Sequence, residues 1–336
     1  MPTITEIAKM TGFSVTTVSI VLRGDAKKRN ISDATVDKIV QAAREIGYTT
    51  NVAARRLRNQ DVEQAPIVAV LWSDDFRSSL MVRFLRGIKR AMISNGIKCE
   101  LRVVPYQPGK LEDVFQLSLV ASINGAIICN ASYEDLEYLK KDGFNLPIVL
   151  YNRSSDNYSS VVIDNKELGK IPYEIFRKHG KRKMIILDYV PSFPGKDDRV
   201  GSFLKLAKQD GLEVEMIECA ENTSSSAYEV CVREIEKIRK ADAMFVTSDI
   251  VAIGAMRALY QHKIAVPEKV ELVSIGIGDP EMCSFQPISI STVELPMEEM
   301  ARNCLITLMD QMLVYRSDPV RKKTKVSFVE RESCSA

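Results

Sequence analysis

Apolar positions in the first fifty residues recur at helical spacing in three short runs; beyond residue 66 the rhythm changes to short apolar bursts separated by amphipathic stretches. Thr3-Ile4-Thr5-Glu6 has the form of a capping box, in which hydroxyl and carboxylate each satisfy a free backbone N–H at a helix start. Ala8, Gly12 and Val18 follow at the spacing of a helix-turn-helix: a small residue where two helices touch, a glycine able to take positive φ in the turn, and an apolar anchor on the second helix. Ser14 and Ser32 are suited to cap the second and third helices, and Val36, Ile39, Val40, Ala43 and Ile46 share one face of the third, which is expected to end at Gly47. The pattern predicts a three-helix head over residues 1–50. A shorter helical pattern occupies 51–59, and the polar stretch 60–64 before Pro66 marks a boundary.

In the second zone, apolar runs predict strands at 67–72, 100–104, 125–129, 147–151, 184–187, 214–217, 243–247 and 270–275. Helices are expected at 80–94, 111–122, 133–141, 166–179, 199–209, 226–240, 249–261 and 296–313. Strands alternating with helices mean parallel sheets covered on both faces. Roughly 270 residues in this rhythm exceed one ordinary sheet, so two doubly wound lobes are expected. Ligands in such folds bind beyond the carboxyl ends of the strands.

Charge sharpens this division. Residues 1–60 hold ten Lys or Arg against five Asp or Glu, a net of +5, which leaves 36 basic and 39 acidic residues, or −3, for the remainder. A short basic lobe on a near-neutral body fits a polyanion binder. The seven cysteines are odd in number and form no C-x-x-C pair, so their spacing indicates neither a disulfide framework nor a zinc site. No apolar run approaches the length of a membrane span, and the N-terminus lacks a secretory pattern, which makes the cytoplasm the expected compartment.

Nothing in the body reads as catalytic. Of the two histidines, His179 and His262, neither has a nucleophile or metal-ligand signature beside it, and both are expected near helix ends at the surface. Pro194-Gly195-Lys196-Asp197 has Val190 where a phosphate loop carries its first glycine and no Ser or Thr after the lysine; Gly276-Ile277-Gly278 has Glu281 in place of the third glycine of a dinucleotide fingerprint. The expectation is a protein that is not an enzyme and uses no cofactor and no metal.

Residues 3–48, with Ser14-Val15-Thr16-Thr17-Val18-Ser19 at the centre and Glu45-Ile46-Gly47-Tyr48 at the end, resemble the DNA-binding head of the LacI/GalR transcription regulators. The resemblance continues in Asn51-Val52-Ala53-Ala54-Arg55-Arg56-Leu57, which is similar to that family's hinge helix. In the body it continues in Val162-Ile163-Asp164-Asn165, Arg199, Ser248-Asp249 followed by Ala252-Ile253-Gly254-Ala255, and Pro267-Glu268-Lys269-Val270. It implies a homodimer on a pseudopalindromic double-stranded operator, and a body like a periplasmic binding protein. The expected domains are a helix-turn-helix head at 1–50, a hinge helix and linker at 51–65, and an effector-binding and dimerisation body at 66–336. The body's lobes are expected at 66–163 with 293–320, and at 164–292 with 321–336.

The family pattern places Val15, Thr16 and Ile20 in the major groove. Val15 and Ile20 offer only apolar contact, best suited to a thymine methyl, where relatives commonly hold a polar or basic residue at the position of Ile20; the competing expectation is that both pack in the head's core. Thr5, Ser14, Thr17, Ser19 and Arg23 are candidate phosphate contacts. In the hinge, small Ala53 and Ala54 allow close pairing with a dimer mate in the minor groove, Leu57 is placed to wedge between base steps, and Arg55, Arg56 and Arg58 contact phosphates.

For the body, the resemblance implies a small-molecule effector in a cleft between the lobes, a sugar or sugar phosphate, held by Asn165, Arg199 and Asp249. Two departures bear on this. The family's aromatic segment before the first body helix is Ser78-Ser79-Leu80-Met81 here, leaving Trp72, Phe76 or Tyr151 as replacement platforms, and Gly278 stands where the family has the first of two aspartates, so only Asp279 remains. The leading reading is a repressor of a carbohydrate or other catabolic operon. The alternative keeps the DNA-binding role under control of a partner protein or of no ligand, and a third reading, a solute-binding protein or enzyme without a gene-control role, is opposed by the head.

Overall fold

The computed structural model describes residues 3–22, 26, 29, 31–46, 65–75, 77–120, 122–142, 144, 146–190, 194–314 and 319–334. The head forms α1 (Ile4–Thr11), α2 (Val15–Leu22) and α3 (Asp33–Glu45). Thr3 Oγ1 accepts the Glu6 N–H at 3.3 Å and the Glu6 carboxylate accepts the Thr3 N–H at 2.8 Å, completing the capping box. Gly12 ends α1 at φ +77°, the left-handed conformation the sequence requires of it. Ser14 Oγ accepts the Thr17 N–H at 3.0 Å and Ser32 Oγ accepts the Thr35 N–H at 3.4 Å, so both predicted caps form. Ile7, Ala8, Val18, Val21, Leu22, Ile39 and Ala43 close the core between the helices.

The body divides into two compact units, each assembled from separate stretches of chain. The first takes residues up to Asp75 together with 88–161 and 302–321; the second takes 76–87, 162–301 and 322–336. The first sheet comprises β1 (Ile67–Ser73), β2 (Glu100–Tyr106), β3 (Gly125–Cys129), β4 (Ile148–Tyr151), β5 (Ser159–Ile163) and β11 (Arg321–Thr324) in the order β11-β5-β4-β3-β1-β2. The second comprises β6 (Met184–Tyr189), β7 (Val214–Cys219), β8 (Ala243–Val246), β9 (Glu271–Gly276), β10 (Ser291–Glu294) and β12 (Ser327–Val329) in the order β12-β10-β9-β8-β6-β7. From β2 to β5 and from β7 to β10 the pairing is parallel, with β12 antiparallel to β10. Each sheet reverses its direction of growth after its first pair of strands, between β1 and β3 and between β6 and β8, and a crevice at the carboxyl end is expected there.

The helices of the body are α4 (Met81–Ser94), α5 (Leu111–Val114), α6 (Leu117–Val120), α7 (Tyr133–Asp142), α8 (Asn165–Lys178), α9 (Lys196–Gln209), α10 (Ser224–Arg233), α11 (Ile235–Ile238), α12 (Asp249–Gln261), α13 (Pro280–Ser284) and α14 (Met297–Val314). None of the described helices is long and apolar enough to cross a membrane. Several elements differ from the sequence pattern. The helix expected at 111–122 is two short helices, because buried Phe115 leaves helical geometry between them while the Asp135 carboxylate holds the start of α5 through the Gly109 and Leu111 N–H groups. Four strands were not expected: β5, β10, β11 and β12 are short and rich in Ser, Thr or charge, and β11 and β12 lie at sheet edges, where charged residues are tolerated. The lobe boundary at 293 is corrected as well: β10 pairs with β9 in the second sheet, which carries residues 291–301 into the second unit, and residues 76–87 belong there too.

Candidate nucleic-acid interface and ligand site

Helix α2 has no charged side chain, and its burial splits it into two faces. Val18, Val21 and Leu22 face the head's core, while Thr16 is exposed and Val15 is 47% exposed. Ile20 is half-buried and stands apart from the buried core. The outward residues Val15 and Thr16, with the edge of Ile20, therefore form a small, mostly apolar surface at the start and side of the helix. Thr5 and Ser14 are exposed at the helix starts and Thr17 and Ser19 are half-buried; Ser14 and Thr17 bond each other through their hydroxyls at 2.8 Å. Arg23, and the hinge candidates Ala54, Arg55, Arg56, Leu57 and Arg58, lie outside the described residues, as does Phe76.

In the second unit the carboxyl ends of β6 and β8 gather a buried polar cluster. Thr247 Oγ1 donates to Asp188 Oδ1 at 2.5 Å across the gap between the two strands. Lys196 pairs with Asp188 at 3.0 Å, donates to the Tyr189 carbonyl, and lies 4.6 Å from the centre of the Tyr189 ring. The lysine of the Pro-Gly-Lys-Asp stretch is thus used inside the protein. Burial pushes the Tyr189 phenol up, so it stays protonated.

Arg199, 3% exposed, donates from Nε to Asn165 Oδ1 at 3.0 Å. Two glycines make that contact possible. A side chain on Gly169 would begin 1.8 Å from the Arg199 carbonyl, so only glycine lets α8 and α9 approach this closely; at Gly195, φ +88°, a Cβ would strike the Asn165 amide at 2.4 Å. Burial lowers the Arg199 pKa, with Tyr189 and Asp188 pulling the other way.

Asp249 is also buried, but its oxygens are held by backbone: Oδ1 accepts the Ile250 N–H at 2.9 Å, and Oδ2 accepts those of Ile277 and Gly278 at 2.9 and 2.6 Å. Desolvation raises its pKa against these three bonds. Its observed work is to fix the loop after β9, where the sequence reading gave it a ligand. Asp279 caps α13, accepting the Glu281 N–H at 3.2 Å. Arg83 was not anticipated: it clasps Glu298 through two bonds of 2.9 and 2.7 Å and donates to the carbonyls of Ile277 and Gly278 at 3.1 and 2.7 Å, holding the same loop from the other side. Asn222, just past β7, is 7% exposed, and among the described residues neither end of its amide has a partner; the buried Ser248 hydroxyl at the start of α12 is alike in this. A polar residue just past an apolar strand was the available signal in the sequence for both.

In the first unit Trp72 and Tyr151 are both buried at the carboxyl ends of β1 and β4, their ring centres 6.4 Å apart. Leu80 is buried and Met81 half-buried in the second unit.

A trihelical head with an outward apolar helix start, followed by two doubly wound units of the same topology, is the architecture of a DNA-binding transcription regulator with a periplasmic-binding-protein-like body. Residues 3–51 match the bacterial regulatory proteins of the lacI family and residues 173–334 match the periplasmic binding protein-like domain. The chain belongs to the LacI family and is a DNA-binding repressor of that type. It is 25% identical to the HTH-type transcriptional regulator AscG of Escherichia coli K12, over 91% of this chain and 90% of that one. A LacI family transcription regulator from Clostridium acetobutylicum superposes with a TM-score of 0.75 at 28% identity, covering 79% of this chain and 99% of that one. The lac repressor dimer bound to operator and the anti-inducer ONPF superposes with a TM-score of 0.70 at 20% identity, covering 100% and 99%.

Proposed function

We propose that this chain is a cytoplasmic homodimer that represses a carbohydrate or other catabolic operon from a pseudopalindromic operator. Operator affinity is set by a hydroxylated metabolite at the carboxyl edge of the second sheet. The observation that carries the DNA role is the outward start of α2, with Val15 and Thr16 exposed and Ser14 capping the helix beside them. Val15 and Ile20 read by methyl contact, Thr16 by hydrogen bond, and Thr5, Ser14, Thr17, Ser19 and Arg23 hold phosphates. Hinge residues Ala54 and Leu57 enter the minor groove while Arg55, Arg56 and Arg58 contact the backbone.

On the effector side, Asn165, Arg199, Asn222 and Ser248 offer hydrogen bonds to a hydroxyl-bearing ligand. A buried amide without a partner costs about 1–3 kcal/mol, which a ligand hydroxyl on Asn222 offsets. The dimer reading is supported by an apolar groove of about 1270 Å³ lined by Tyr228, Ile253, Met256, Tyr260 and Ile288, in which Tyr260 is 80% exposed, with Phe285, 82% exposed, next to the lining residue Gln286.

Selection from random duplexes with the full chain is expected to enrich one palindrome whose affinity falls steeply with salt; recovery of no common sequence would refute the proposal. A thermal-shift screen of sugars, sugar phosphates and sugar acids is expected to find a stabilising ligand. A palindrome with no stabilising ligand would instead favour control by a partner protein, a reading supported by the commitment of Asp249 to backbone and the lack of a carboxylate at Gly278.

A further inference from the structure

Away from the ligand site, the second unit brings together an imidazole, a carboxylate and a thiol from three separate elements. His179 ends α8, Glu271 begins β9, and Cys334 lies in the final stretch of chain, 155 positions from His179 and 63 from Glu271. His179 Nδ1 lies 2.8 Å from Glu271 Oε2, Cys334 Sγ lies 3.2 Å from the same oxygen, and the sulfur and nitrogen are 3.9 Å apart. Among the described residues this is the one place where three such donors meet, all within 4.8 Å.

We propose that His179, Glu271 and Cys334 form a binding site for a divalent metal ion of the zinc class. Nitrogen, oxygen and sulfur ligands at ordinary zinc bond lengths stand about 3.3–3.6 Å apart around a tetrahedral ion, and the observed separations of 2.8, 3.2 and 3.9 Å reach that range with shifts of about 0.5 Å or less. Thiolate with imidazole and carboxylate is a zinc-type donor set, whereas calcium and magnesium take oxygen. Three protein ligands leave a fourth position for water or an incoming group.

The donors are held in place by bonds of their neighbours and by bonds to their own free atoms. Leu272, next to Glu271, exchanges hydrogen bonds with Ser333, next to Cys334: its N–H meets the Ser333 carbonyl at 2.8 Å, and its carbonyl accepts the Ser333 hydroxyl at 2.6 Å. Ser291 Oγ donates to the Cys334 carbonyl at 3.2 Å. Lys181 Nζ takes the other carboxylate oxygen, Oε1, at 2.9 Å, which orients Oε2 toward His179 and Cys334. Without metal, the thiol and imidazole protons occupy the space between the donors and bond to Oε2. Metal binding exchanges the thiol proton for a metal–sulfur bond, releasing one proton to solvent, while neutral His179 binds through Nδ1 with its proton on Nε2. His179 retains enough exposure to provide entry. The bound ion would tie the last residues of the chain to the second sheet and raise the stability of that unit.

The test uses full-length protein stripped with chelator, dialysed and titrated with Co²⁺. The expected result is one Co²⁺ per chain, with a thiolate-to-cobalt charge-transfer band in the near ultraviolet that Zn²⁺ abolishes by displacement. Cys334→Ser is expected to remove the band, His179→Gln to weaken Co²⁺ binding at least about tenfold, and Cys99→Ser, which replaces the partly exposed rival thiol, to leave both intact. No charge-transfer band at saturating Co²⁺, or a band that survives Cys334→Ser, overturns the proposal. If Cys334→Ser fails to fold by circular dichroism, His179→Gln decides: unchanged Co²⁺ affinity in that variant overturns it.

Discussion

The backbone N–H of Gly278 reaches the Asp249 carboxylate at 2.6 Å, and a side chain on Gly278 would begin only 3.1 Å from that same oxygen. A carboxylate introduced at this position would therefore meet another carboxylate. Gly278→Asp is expected to destabilise the protein by about 1–3 kcal/mol and Gly278→Ala by less, read from urea denaturation. Equal stability of Gly278→Asp and the parent would show that the loop after β9 moves freely.

Ile20 lies half-buried at the side of α2 and outside the head's buried core. Ile20→Arg is expected to keep the head folded and to shift the selected operator toward guanine at one position in each half-site, worth about 1–3 kcal/mol of discrimination. An unaltered selected sequence would return Ile20 to a packing role.

Arg83 is the clasp of the loop before α13, and its loss leaves Glu298 without its bidentate partner. Arg83→Met is expected to cost about 3 kcal/mol. Burial alone would raise the Glu298 pKa, but the Arg83 hydrogen bond and charge outweigh it and hold the carboxyl below its ordinary value. With the folded value below the unfolded one, the unfolded chain binds more protons in that window. The contribution of the pair is therefore complete above the ordinary glutamate range and disappears as pH falls through the folded value. The stability gap between parent and variant should accordingly narrow in acid. A gap constant from pH 7 to pH 3 would assign the loss to packing alone.

Gly169→Ala places a methyl 1.8 Å from the Arg199 carbonyl. The helices must separate, so the variant is expected to lose about 1–3 kcal/mol and the Arg199–Asn165 bond with it. Isothermal titration with whichever ligand the screen finds should show weakened binding, while operator binding in its absence persists. Full ligand affinity in Gly169→Ala would remove Arg199 from the site.

Much of the head was legible from residue identity, because its contacts are local: Thr3 with Glu6, Gly12 in the turn and Ser14 with Thr17 are each set within a few positions. The buried strands β1, β3, β4, β6 and β9 announced themselves as apolar runs. Edge strands such as β11, Arg-Lys-Lys-Thr, carry no such signal, since their place depends on a neighbour far away in the chain. The candidate ligand site was half visible. Arg199 and Asn165 were named, yet the sequence alone could not show that Asp249 spends its oxygens on backbone or that Arg83 fastens the opposing loop. The His179, Glu271 and Cys334 triad was invisible, because no short spacing links its members.

Gly125 in β3 fits against Leu308 and Met312 of α14, with an added Cβ only 3.0 and 2.9 Å from their side chains. The helix that packs on this face of the first sheet thus follows β6 to β10 of the second sheet in chain order. Removing residues 302–314 would therefore uncover the face of β3 at Gly125 while leaving β6 to β10 of the second sheet in place, so the two sheets depend unequally on this one helix.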